Sequence, residues 1–220
     1  MKAITRRGVI FGAGVLGLMI SSSQGAGLVN GDFEVPTGGA TSYSGTPVIP
    51  GFGWQVAGGS IDILAGLWQN AHGSQSIDLN GSNTPNAQGS IYQDFTFASA
   101  GTWEVVFSLS VNPDTGSDPR SMNVTFGTTG GASSVLGTYS LSAGTRTYSN
   151  MQWFDVTTPT FNIPSTATSY RLGFNSLSAL SDWGMALDNV RLVQVPEPAT
   201  GSLLVGGLLV GAGFYRKARK

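Results

Sequence analysis

Thr102-Trp103-Glu104-Val105-Val106-Phe107-Ser108-Leu109, near the middle of a 220-residue chain, decides the class of fold. Trp103, Val105, Phe107 and Leu109 share one face of an extended strand, while Thr102, Glu104 and Ser108 take the other. A period of two over eight residues marks a strand with one face on a core. Outward from it the pattern repeats at Tyr170, Leu172 and Phe174, at Met122, Val124 and Phe126, and more loosely at Ile91, Gln93 and Phe95. Clusters of Gly, Ser, Asn, Asp and Pro separate these runs, and no stretch keeps a helical apolar period for three turns. The expected fold is all-β, an antiparallel two-sheet β-sandwich of jelly-roll type with about ten strands, an edge-closed barrel being the alternative.

The connections carry their own signals. Residues 37–50 are poor in apolar side chains and read as a long surface excursion before Phe52-Gly53-Trp54 returns to the fold. Asn112-Pro113-Asp114-Thr115-Gly116-Ser117-Asp118-Pro119 reads as a turn-rich hairpin loop whose acids serve solvated turns rather than a cation. Ser60-Ile61-Asp62-Ile63 returns as Ser76-Ile77-Asp78-Leu79, an echo that fits a pair of strands and not a solenoid.

Both ends differ from the middle. Lys2, Arg6 and Arg7, the apolar residues 8–20 and the small residues 21–26 have the layout of a secretory signal peptide over residues 1–26. Thr5-Arg6-Arg7-Gly8-Val9-Ile10 leaves the twin-arginine route open beside general secretion. At the other end, Pro196-Glu197-Pro198 breaks the preceding fold, since each proline lacks an N–H and fixes its own φ. An apolar run over residues 201–215 and the cations Arg216, Lys217, Arg219 and Lys220 follow. As a short apolar helix the run spans roughly 23 Å, against a hydrocarbon core of about 30 Å. Such a segment suits transient membrane contact better than a permanent single-span anchor.

Between the ends lies the domain, residues 27–195. All twelve acids fall between Asp32 and Glu197, where only Arg120, Arg146, Arg171 and Arg191 oppose them, a net charge of −8 with no lysine. That surface excludes nucleic acid as a partner, because nucleic-acid binding runs on cationic contacts to phosphate. It suits neutral ligands and divalent cations. The chain has no cysteine, so neither disulfides nor thiolate metal sites hold the fold.

Two resemblances follow from these motifs. Pro196-Glu197-Pro198, the short apolar run and the basic end, in that order, resemble the PEP-CTERM sorting signal of Gram-negative bacteria. This implies recognition and processing by an exosortase, a transient inner-membrane stage through the C-terminal helix, and delivery to the cell surface or extracellular matrix. The second resemblance spans the domain. Leu28-Val29-Asn30-Gly31-Asp32-Phe33-Glu34 opens it, Ala186-Leu187-Asp188-Asn189-Val190-Arg191-Leu192 closes it, and Gly53-Trp54, Trp68, Gly73-Ser74-Gln75-Ser76-Ile77-Asp78-Leu79-Asn80-Gly81 and Gly89-Ser90-Ile91-Tyr92-Gln93 stand between. This ordered set resembles the choice-of-anchor C family of bacterial surface proteins and related plant cell-wall proteins with galactose-binding-like domains. It implies a non-catalytic extracellular protein with polysaccharide as partner.

His72 is the one imidazole and no nucleophile elbow occurs, so acyl transfer has little to use; a glycosidase would need only two carboxylates at a set distance. A structural protein that binds other proteins is the third class. For the ligand, Trp68, Gln69, Asn70 and His72 place an aromatic platform beside amide and imidazole groups, with Trp54, Trp153 and Trp183 as rival platforms. For a cofactor, the expected meeting of the first and last motifs lets Glu34 and Asp188 share a structural calcium ion, which takes six to eight oxygens. The competing reading is that both carboxylates cap turns by accepting backbone N–H bonds.

Overall fold

The computed structural model describes residues 27–44, 50–82, 88–114, 118–178 and 182–196. The expected signal peptide, the apolar C-terminal segment, and Glu197 and Pro198 of the expected sorting signal lie outside the described residues. Within them the chain forms β1 (Ala40–Ser44), β2 (Gln55–Gly58), β3 (Ser60–Ala65), β4 (Gln75–Asp78), β5 (Ser90–Phe95) and β6 (Gly101–Val111). β7 (Arg120–Thr128), β8 (Ser133–Leu141), β9 (Phe154–Thr157), β10 (Phe161–Ile163), β11 (Tyr170–Ser176) and β12 (Met185–Gln194) complete it.

These strands make two antiparallel sheets, so the sandwich holds and the closed barrel does not. One sheet runs β1-β3-β4-β12-β6-β10, with β9 beside β10 on the same flank of β6; the other runs β2-β5-β11-β7-β8. The inward side chains of β6, Trp103, Val105, Phe107 and Leu109, are all fully buried. They meet Phe174, Tyr139 and Phe97 of the facing layer edge-on or tilted, with ring centroids 4.9–5.6 Å apart. Such contacts add to the burial energy through the ring quadrupoles. The repeated Ser-Ile-Asp tetrapeptides are neighbouring strands: Asp62 lies across from Asp78, and Ile63 from Ile77.

Two connections differ from expectation. The link from β6 to β7 is not a hairpin, because β6 and β7 lie in different sheets. Arg120, fully buried, holds this crossing by donating to the carbonyls of Asn112 (2.9 Å) and Asp114 (2.5 Å) and pairing with Asp118 (3.1 Å). Of its acids, Asp118 pairs with Arg120 and the Asp114 carboxylate accepts from the Tyr148 hydroxyl (2.7 Å), while Asn112 makes the Asx turn by accepting from Asp114 N (2.9 Å). The excursion over residues 37–50 contains β1, which pairs with β3. The composition hid this strand because an edge needs backbone pairing more than apolar side chains.

Candidate functional site

The outer face of the seven-stranded sheet is covered by two loops. Inward residues Ile61, Ile63, Ile77 and Leu187 force their neighbours Leu64, Ser76, Asp78, Ala186 and Asp188 to the opposite face. The β3–β4 loop and the segment before β9 close over part of that face, joined where Gln69 N donates to Tyr148 O (2.7 Å) and Met151 N to Gln69 Oε1 (3.1 Å).

Trp68 forms the floor of this cover. It is 4% exposed, packs with Leu64, Met151 and Ala186, and donates its Nε1–H to Ser76 Oγ (2.7 Å). The Ser76 hydroxyl in turn donates to Asn70 Oδ1 (2.9 Å). The expectation that Trp68 offers a stacking platform is therefore corrected: a polar loop buries this ring because Ser76, on the outward side of β4, supplies its one needed acceptor.

A cleft of about 510 Å³ opens beside it, lined by Gln69, Asn70, Ser108, Asn150, Gln152, Trp153, Phe154 and Asp155. Trp153 is partly buried and packs against the Trp68 cluster; Nε1–H donates to Gln69 O (2.6 Å), which fixes the ring. Phe154 is 42% exposed. The single carboxylate among the described lining residues, Asp155, accepts from Ser108 Oγ and from Arg191, each at 2.7 Å. The Ser108 hydroxyl above all, and Arg191, keep this carboxyl below its ordinary range against the effect of burial, so it is ionised. Of the four residues expected to form a ligand site, Gln69 and Asn70 line this cleft. Of the rival platforms, Trp54 is fully buried and donates to Asn30 O (2.9 Å), while Trp153 is in place. The signal that marks Trp153 is its position just before β9, whose alternation turns Val156 inward and Asp155 outward.

His72 is exposed in a second, polar groove of about 350 Å³ with Asn30, Asp32 and Asn189. Here the first and last motifs meet, as expected: Val190 N donates to Gly31 O (2.7 Å), and a Cβ at Gly31 would run into the Val190 carbonyl. The two carboxylates at this junction clamp one loop. Asp188 Oδ2 accepts from Ala71 N (3.0 Å) and His72 N (2.8 Å), and Oδ1 from Asn189 N (2.6 Å). Glu34 Oε1 accepts from Ser74 N (2.8 Å) and Gln75 N (2.9 Å), and Oε2 from Ser74 Oγ (2.5 Å). Gly73 sits between at φ +58°, where a Cβ would strike the Glu34 carboxylate. Burial pushes Asp188 up to about 7 in spite of its N–H donors; burial also pushes Glu34 up, but the Ser74 and Gln75 donors together outweigh it and hold Glu34 below the usual range. As arranged, the pair serves N–H groups, and among the described residues no group of three or more acidic or histidine side chains is placed to hold a metal.

Solved structures with a similar fold include TmCBM61 in complex with beta-1,4-galactotriose, 14% identical over 79% of this chain and 100% of that one, with a TM-score of 0.49. A family 35 carbohydrate binding module from Clostridium thermocellum is 13% identical over 64% and 92%, at 0.43. The CBM22-1 xylan-binding domain of Paenibacillus barcinonensis Xyn10C is 13% identical over 70% and 91%, at 0.43. No curated protein matches. Residues 194–220 match the PEP-CTERM protein-sorting motif, which marks an exported protein. Residues 26–193 match DUF642, and the chain belongs to this family of proteins of unknown function.

Proposed function

We propose that this exported protein binds a neutral polysaccharide, without catalysis, in the cleft at Trp153. The observation that supports the reading is a fixed, partly open indole beside the side chains of Asn70, Asn150 and Gln152 on one shallow surface. An aromatic ring covers the apolar C–H face of a pyranose, and amides and a carboxylate bond its hydroxyls. Charge favours a neutral glycan: Arg120, Arg171 and Arg191 are paired with Asp118, Asp94 and Asp155, and Arg146 bonds Ser110 and Ser142. A uronic acid would meet a surface of like sign. Catalysis is left out because hydrolysis needs two carboxyl groups across the bond, and this cleft offers Asp155. Binding of the purified protein to a panel of neutral and acidic polysaccharides tests the reading. Retention on a neutral polymer that Trp153→Ala loses supports it; no retention on any polymer, or preference for uronates, overturns it.

The tail extends the proposal. An exosortase in the inner membrane of a Gram-negative bacterium would process the chain near Pro196, and the body would be released or joined to a surface carbohydrate. Mass spectrometry of the surface protein decides, because an intact peptide containing Arg216 and Lys220 on mature protein contradicts processing. Calcium at Glu34 and Asp188 is a separate proposal, and it would require the clamped loop to surrender backbone bonds. A calcium-dependent rise in melting temperature that Glu34→Ala and Asp188→Ala abolish would support it; no response in the wild type would end it.

A further inference from the structure

Among the described residues the two sheets have four outer flanks, and the strands there differ in length. β1 has five residues, β2 four, and β9 and β10 four and three, whereas β8 runs for nine along the end of the five-stranded sheet. An antiparallel edge strand points every second N–H and C=O away from its partner, and proteins usually protect a long edge with charge or proline. β8, Ser-Ser-Val-Leu-Gly-Thr-Tyr-Ser-Leu, has neither. Its outward residue Val135 is 58% exposed, more than any other large hydrophobic residue described. Leu136 is the extra residue of a bulge, since Gly137 faces Val124 and Val135 faces Thr125. The bend turns Leu136 towards the core, and residues 137–141 then run regular against β7.

Charge indicates what pairs there. The segment between Asp32 and Glu197 carries −8, so two copies repel over most of their surface. Residues 121–145, the whole of the β7–β8 hairpin past Arg120, contain no charged side chain. This is a neutral window on an acidic body. A twofold antiparallel pairing sets each strand against its own copy, so any charge near the axis would face its like; β8 meets that condition. We infer that β8 is a self-association edge, at which a second copy of this chain adds its own β8 antiparallel and joins two five-stranded sheets into one. The pairing uses none of the residues that line the Trp153 cleft, so each copy keeps its cleft and a dimer is bivalent.

Sedimentation velocity of the full chain, in a detergent that keeps the apolar tail in solution, tests this. The wild type should sediment as a concentration-dependent dimer. A variant with Val135→Lys and Thr138→Lys, both exposed positions, should sediment as a monomer with an unchanged melting temperature, while uncharged Val135→Thr should remain dimeric. A wild type that is monomeric throughout, or a lysine variant that still dimerises, overturns the inference. Amide exchange in the wild type gives a reading independent of any variant: protection in β8 should rise with protein concentration, and flat protection overturns the inference.

Discussion

Replacing Trp153 with alanine separates ligand binding from stability, because Trp153 and Trp68 share one small cluster but differ in exposure. A tryptophan side chain buries about 150–250 Å² when fully covered. Trp153 is only partly buried, so a ligand that covers the rest gains about 1–2 kcal/mol at about 25 cal/mol per Å². The expected result is a loss of about tenfold in affinity for the neutral polysaccharide. Trp153→Phe isolates the second contribution: it keeps a ring but loses the Nε1–H bond to Gln69 O, worth about 0.5–1.5 kcal/mol of stability in the loop. Its affinity should lie between wild type and alanine. Trp68→Ala is the counter-case, since it empties a buried site and leaves Ser76 Oγ without its donor, at a cost of about 3–5 kcal/mol in unfolding free energy. Affinity electrophoresis and urea unfolding on the three variants check both quantities. The reasoning fails if Trp153→Ala binds as the wild type does, or if Trp68→Ala weakens binding with no loss of stability.

Three further outcomes follow from the buried charges. Burial pushes Asp78 up to about 7 against its bonds from Asn112, Asn80 and Gly184, and Asp188 likewise, so the folded state holds protons that the unfolded chain releases near its ordinary 3.8. Their contribution is therefore full below the unfolded value and is lost as pH rises through about 7. The melting temperature should fall between about pH 5 and pH 7, and Asp78→Asn should flatten that slope; a melting temperature that rises over this range contradicts the assignment. Arg120→Ala leaves the Asn112 and Asp114 carbonyls at the sheet crossing without their buried donor, and should cost about 2–4 kcal/mol in urea unfolding, with a loss under about 1 kcal/mol counting against it. Asp188→Ala removes the acceptor for Ala71 and His72, and hydrogen exchange should show those amides losing protection while β6 and β11 keep theirs.

Period-two alternation in β6, β7 and β11 was enough to name the class of fold and the inward faces, because a half-buried strand writes its burial into adjacent residues. The Ser-Ile-Asp echo likewise announced two neighbouring strands, and the order of Pro196, Glu197, Pro198, apolar run and basic end announced the sorting motif. These signals are local, so the chain carries them unfolded. Which strands share a sheet is not local, and residues 112–119 look like a hairpin until β6 and β7 are seen in different sheets. The cleft depends on the same kind of information. Trp68 lies in a polar loop and reads as exposed, but an acceptor on Ser76 and apolar contacts from Met151 and Ala186 cover it, and the last two are remote in sequence. Trp153 becomes the platform only because Gln69, 84 residues earlier, supplies the carbonyl that fixes its ring. Burial of a loop aromatic is decided by what the far chain brings to it, and only the tertiary structure assembles that neighbourhood.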